Sequence, residues 1–393
     1  MTTNLKAKSP GQFDFGLTDA QEKHARILHG DSIVIDLLSQ HAGGSNIFNS
    51  YPEELQIEFN NKMRSAVGFN GLTDAEMWPY EMARDGKSNL IRDWYLSSGL
   101  TCGTYGIGVH DGNDPLSIKL DLVNKIFDEL PWLRRVTTAE EIRKAKRDGL
   151  LALYAHWQPL APAPRDLGAL DAAYAKGLRS FMLTYNLMDN IGVGCTERVD
   201  AGLSMFGINV VKHCNDIGMI VDVSHCGHLT TMDACRFSTK PVNANHTAAC
   251  GLHPHARGKS DDALRAIAAT NGVIGVVTVP PFLTADASPT INHMLDHIDY
   301  ISELVGARHV AIGTDWPMQV PLNVLEATLG LETKSIGFRE QDRLDLSARL
   351  AGYEDCRDLR NITRGLVKRG YSDEHVRGIL GENALRVFAA VCG

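Results

Sequence analysis

Four histidines stand at or just after the ends of short apolar runs: His110 after 101–109 (TCGTYGIGV), His156 after 150–155 (LLALYA), His225 ending 219–225 (MIVDVSH) and His246 ending 241–246 (PVNANH). Neutral imidazoles are good zinc ligands, and three protein ligands plus a water is the usual catalytic arrangement. Water on such a metal reaches a pKa near 7, which makes it a nucleophile at neutral pH. A neighbouring carboxylate can then carry its proton. Asp315, ending 309–315 (HVAIGTD), is placed for that role; an aspartate ahead of Trp316-Pro317 equally suits a turn or a helix N-cap. Tyr185 ends 179–185 (RSFMLTY) and can hydrogen-bond a developing oxyanion. Asp36 ends 32–36 (SIVID) in the same way. One histidine in such a place is more often a satisfied core or surface residue. Several at the same end of successive strands converge if those strands form a barrel.

Other polar residues carry less. Asp222, inside 219–225, is either the partner of a histidine or a buried structural carboxylate, and both readings bury it. His228 opens a helix-like stretch, and His253 and His255 lie in the Pro/Gly loop GLHPHARG. Gly106 and Gly108 lack the third glycine of a dinucleotide loop. Trp157, Tyr105, Trp316 and Phe282 follow strand ends; they either line an apolar pocket or pack beneath loops.

The elements that must position these side chains are legible. The seven runs above, with 272–279 (GVIGVVTV), make eight. Their apolarity is continuous rather than alternating, as in strands buried on both faces of a parallel sheet. Helical patterns lie between them. Residues 202–218 place Leu203, Phe206, Val210, Val211 and Cys214 at helical spacing, and 260–272 opens on Ser260 as N-cap and closes at Gly272. Eight β-runs alternating with helices predict an α/β fold, a (β/α)8 TIM barrel. The chain of 393 residues is read as a single domain, with the barrel at about 30–320 and a C-terminal helical extension at about 321–393 that ends in a packing helix over 372–391. The segment between Gln40 and Asn89 decorates the first βα loop.

Composition narrows the class of function. Lys plus Arg is 39 against 47 for Asp plus Glu, a formal charge of −8, which argues against a nucleic-acid partner. No apolar run approaches the roughly 20 residues of a membrane span, and the first residues have no apolar signal core. The eight cysteines contain no C-x-x-C pair. Reduced thiols and a cytoplasmic location are expected, with a small-molecule substrate and no membrane partner.

Four segments taken together resemble the membrane (renal) dipeptidase family of metallopeptidases, within the amidohydrolase-like barrels: NDIGMIVDVSHCGHLTTMDAC, KPVNANHTAACGLHPHARGKSDDALRAIAATNGVIGVV, VAIGTDW and GENALRVF. The resemblance runs from about residue 170 to the C-terminus and is traceable back to SIVID. It implies a zinc site at the strand ends, hydrolysis of dipeptides or related small amides, and a homodimer. Residue by residue, it implies that His225 and His246 are metal ligands, that Asp315 handles the proton, and that Arg257 in HPHARG grips a substrate carboxylate. Arg suits that task because its planar fork pairs bidentately.

The departures are equally specific. The family opens with Asp-x-His-x-Asp; here the segment is Asp36-Leu37-Leu38-Ser39-Gln40, with leucine and glutamine where ligands would stand. The family's bridging glutamate corresponds to His156, its substrate-side histidine to Tyr185, and the asparagine after its arginine to Gly258. A two-metal site cannot be built in the family's way. The remaining set, His156, His225 and His246, suits one zinc or another divalent metal, with Asp315 as base. The expected activity is hydrolysis of an amide-like or ester bond in a small carboxylate-bearing molecule. A lyase or decarboxylase using the same metal, and a binding protein that has lost catalysis, are the alternatives.

Overall fold

The computed structural model describes residues 10–39, 44–63, 68–108, 116–159, 165–315, 337–345 and 347–393. His110, Gln40 and Trp316 lie outside them.

Nine strands are present among these residues: β1 (Cys102–Gly108), β2 (Leu133–Arg135), β3 (Leu151–Gln158), β4 (Leu178–Met182), β5 (Ile220–Asp222), β6 (Val242–Ala249), β7 (Gly258–Lys259), β8 (Ile274–Val276) and β9 (Val310–Ile312). The main path runs β1-β3-β4-β5-β6-β8-β9, with β2 on β3 and β7 on β6. Every pairing is parallel. The sheet closes through the first apolar run. Ile35 bridges Cys102 and Asp36 bridges Ile312. Asp36 N donates to Cys102 O at 3.0 Å, and Leu37 N donates to Ile312 O at 2.9 Å. That run is the eighth stave, so each of the eight predicted β-runs takes its place in the barrel.

Helices join the staves, as parallel crossovers require. Two boundaries differ from the sequence reading for definite reasons. The helix expected from residue 202 is Met205–Ile217, because the Ser204 side chain caps it, accepting from Gly207 N, while Gly202 sits at φ +77. The helix opening on Ser260 ends at Ala269, not Gly272. Asn271 takes the left-handed turn at φ +66 instead. Gly272 is needed for another reason: a Cβ there would lie 1.8 Å from Val242 O.

Four helices fill the connection before β1: Gly44–Asn49, Glu53–Met63, Gly68–Arg84 and Leu90–Ser98. Phe48, Tyr51 and Phe59 pack their rings around Trp78 there. At the other end of the barrel, Ala384, Leu385, Val387, Phe388 and Val391 of the last helix cluster with Ile35, Cys102, Ala152, Ile220 and Ala311. GENALRVF is therefore the plug at the N-terminal end of the staves. It reaches the first stave through one π-turn, Gly378–Glu382, with Ile35 N donating to Leu380 O at 2.8 Å. All eight cysteines are free thiols.

Candidate functional site

His225 stands three residues beyond the end of β5, and His246 lies within β6. Their ring centroids are 5.0 Å apart. Both side chains are buried. His225 Nδ1 donates to Asn186 Oδ1 at 2.7 Å, which fixes the tautomer and leaves Nε2 as the lone-pair nitrogen. Nε2 of His225 and both ring nitrogens of His246 have no hydrogen-bond partner. Burial holds both imidazoles well below the usual histidine pKa, and the Arg257 guanidinium pushes in the same direction. They are neutral, as metal ligands must be.

His156, in β3, is fully buried. Its Nδ1 is 3.0 Å from Ser180 Oγ, and its Nε2 faces Asp222 Oδ2 at 3.7 Å without a hydrogen bond. Burial lowers its pKa, while the Asp222 charge opposes the shift.

Tyr185 stacks on His225, ring centroids 4.0 Å apart. Burial raises its phenol pKa, and the Asp315 carboxylate adds to the rise. Asp315 N donates to Leu38 O at 2.8 Å, joining the last stave to the first. Asp315 holds φ at +59, a left-handed conformation that aspartate tolerates and that clusters at functional sites.

Arg257 is 1% exposed. Its Nη1 donates to Ser224 O at 2.6 Å and its Nη2 to His246 O at 3.2 Å, while Nε has no partner. Two of its donors are thus spent on the strand ends that carry the histidines. His255 is not an idle loop residue: its Nδ1 accepts from Arg257 N at 3.0 Å and its Nε2 donates to Asp342 O at 2.9 Å. Phe282 lies under the Arg257 guanidinium, and Phe338 stands against both Tyr185 and Phe282. Of the other aromatic candidates, Tyr105 and Trp157 are core residues, packed on Phe127 and Phe181.

Asp36 turns out to be a staple. Its buried carboxylate accepts from Thr314 N at 2.9 Å, Thr314 Oγ1 at 2.6 Å and Leu38 N at 3.2 Å. Leu38 is buried and its side chain offers no lone pair, in keeping with the missing ligand motif. Asn186, Ser180 and Asn245 were not picked out from sequence. The one available signal is adjacency, since Asn186 follows Tyr185 and Asn245 precedes His246.

Eight buried polar atoms around this mouth have no protein partner: His156 Nε2, Asn186 Nδ2, Asp222 Oδ2, His225 Nε2, Asn245 Oδ1, His246 Nδ1 and Nε2, and Arg257 Nε. Each such atom ordinarily costs about 1–3 kcal/mol, so their concentration in one place marks a site shaped for something other than stability. The donors fit zinc in kind: neutral, buried imidazoles with ring nitrogens unspent. The structure brings two of them side by side. Among the described residues, no three His, Cys, Asp or Glu side chains are gathered around one ion position.

Residues 71–329 and 342–392 match the membrane dipeptidase family, peptidase family M19. An amidohydrolase from Pseudomonas aeruginosa is similar over 94% of this chain and 99% of its own, with 27% identity and a TM-score of 0.73. A metallopeptidase from Rhodobacter sphaeroides, solved with a phosphinate mimic of the dipeptide L-Ala-D-Ala, aligns over 92% of this chain and 100% of its own at 19% identity, TM-score 0.65. A dipeptidase termed AC, a metallopeptidase of family M19, covers 76% of this chain and 88% of its own at 20% identity, TM-score 0.62. The last two likenesses concern the fold.

Proposed function

The chain belongs to the membrane dipeptidase family of metallohydrolases, and from that premise we propose that it cleaves an amide or ester bond in a small carboxylate-bearing molecule, using one zinc. The observation that carries this reading is the His225–His246 pair, buried, neutral and with Nε2 unspent on both rings. His225 and His246 would hold the metal; His156 is the third residue of the expected set, and its ring nitrogens face Ser180 and Asp222. A zinc ion bound there supplies Lewis acidity and lowers the pKa of water toward neutrality.

The chain's own residues do the rest. Asp315 holds or passes the proton at its carboxylate. The Tyr185 phenol, its pKa raised, stays protonated at neutral pH and donates to an oxygen that gains negative charge. Arg257 anchors the substrate carboxylate with the N–H groups that the strand-end carbonyls leave over. Phe282 and Phe338 form an apolar wall beside it and exclude water. Dipeptides are the first substrates to try, given the dipeptide mimic held by the Rhodobacter relative.

The test is elemental analysis of protein purified without chelators. About one zinc per chain, lost in His225→Ala, is the expected result. About two per chain would overturn the single-metal assignment, and none, with none taken up on addition, would overturn the metallohydrolase reading. Turnover in water enriched in heavy oxygen should label the product, whereas elimination chemistry would not.

A further inference from the structure

Lys259 of β7 is 3% exposed, and Arg257, two residues before it, is 1% exposed. Residues two apart on an extended segment share a face. Both side chains accordingly reach one turn, the turn that carries His225. Arg257 Nη1 donates to Ser224 O at 2.6 Å, and Lys259 Nζ donates to Cys226 O at 2.6 Å. Lys259 Nζ also donates to Thr231 Oγ1 at 3.1 Å, and that hydroxyl donates to Gly227 O at 2.8 Å. The carbonyl between the two cations, His225 O, accepts from Cys195 N at 2.8 Å. Four successive carbonyls beyond β5 are therefore capped, two of them by buried cations.

The acceptors of Arg257 and Lys259 are all neutral: Ser224 O, His246 O, Cys226 O and Thr231 Oγ1. Lysine and arginine are almost never fully buried unless an acid pairs with them. Taking a charge out of water is costly, and a neutral donor could cap the same carbonyls without that cost. The turn needs donors, then, but not charges. Burial lowers the Lys259 pKa, and the Asp222 carboxylate opposes part of that shift. The field of both cations reaches the histidine pair, since each pushes the His225 and His246 imidazoles toward the neutral form.

We propose that Lys259 is a specificity-determining residue: together with Arg257 it keeps the turn beneath the histidine pair positive, and so selects an anionic substrate over a neutral molecule of the same shape. Its ammonium stays on Cys226 O and acts through its charge. The inference rests on the hydrolase reading above, and assigns a residue to the recognition of the substrate's charge.

The probes are the dipeptide Ala-Ala and its C-terminal amide, which differ by one carboxylate charge. The quantity read is the ratio of kcat/KM for acid over amide, measured on the full chain beside thermal melts. Wild type should favour the acid. Lys259→Gln removes the charge and keeps a donor for Cys226 O, whereas Lys259→Met removes both. The ratio should fall about tenfold in both variants, the weight of one nearby unit charge at an effective dielectric of about 20. A role confined to holding the turn gives another pattern: Lys259→Gln keeps the wild-type ratio and Lys259→Met slows both probes alike, which overturns the proposal. Loss of the fold in both variants overturns it too, because the charge would then serve stability. Wild type that treats the two probes alike refutes it with no variant needed. Wild type that cleaves neither probe defeats the dipeptide form of the hydrolase reading and this inference with it; cleavage of both, with the ratio unaltered in Lys259→Gln, defeats this inference alone.

Discussion

The Asn186 amide oxygen receives the Nδ1 proton of His225, and that one contact decides which ring nitrogen faces the mouth. A histidine after a strand can be found by reading along the chain. The partner that selects its tautomer comes from another stave, so its role is visible only in three dimensions. Asp315 shows the same division. Its place after the last stave is read directly, whereas its left-handed φ of +59 and its influence on Tyr185 arise from closure of the barrel. Asp315→Asn should abolish turnover while zinc content stays near one per chain, because the substitution removes the proton acceptor and leaves the paired histidines intact. Parallel measurement of rate and bound metal checks this, and full activity would remove Asp315 from the chemistry.

At the level of elements, His246 depends on how closely three staves pack. A Cβ at Gly313 would lie 1.7 Å from Asn245 O, and one at Gly275 would lie 1.9 Å from the same atom. The backbone just before His246 is thus seated against two glycines, at the point where the β6–β8 register shifts between Ala244 and Thr247. Gly313→Ala forces that backbone to move, and overpacking of this kind costs about 1–3 kcal/mol. The denaturation midpoint should fall accordingly, with a loss of zinc affinity alongside it; an unchanged midpoint would mean that the staves adjust freely. Sequence reading sees these glycines as ordinary members of apolar runs, because nothing local reveals a carbonyl from a segment tens of residues away.

On the scale of the whole molecule, two buried histidines outside the expected metal set tie distant segments together. His29 Nε2 donates to Ser98 O at 2.9 Å, and its Nδ1 accepts from Thr363 Oγ1 at 2.7 Å. His297 Nε2 donates to Leu283 O at 3.0 Å, and its Nδ1 accepts from Ala249 N at 3.0 Å. Each ring must be neutral to accept, and burial lowers both pKa values from 6.5 to about 4. Between those limits the unfolded chain binds the extra protons, so stability is full above the unfolded pKa and is lost as pH falls toward 4. Each histidine accounts for roughly 3 kcal/mol of that loss. Calorimetry from pH 7 to pH 4.5 should show a steadily falling melting temperature, and a flat profile would contradict the neutral assignment.

The eight staves, the helices between them and the positions of His225, His246 and Asp315 follow from the sequence, because strand burial and strand ends are written in local apolar patterns. The same reading identifies the lost ligands at Leu38 and Gln40. Tertiary structure decides the rest. Asp36 closes the barrel through Thr314, Arg257 spends two donors on the strand ends, and Asp222 accepts from the residues just before His225 and His246. Hydrogen bonds and buried charges are satisfied between staves that are distant in the chain, and a linear pattern does not contain those distances.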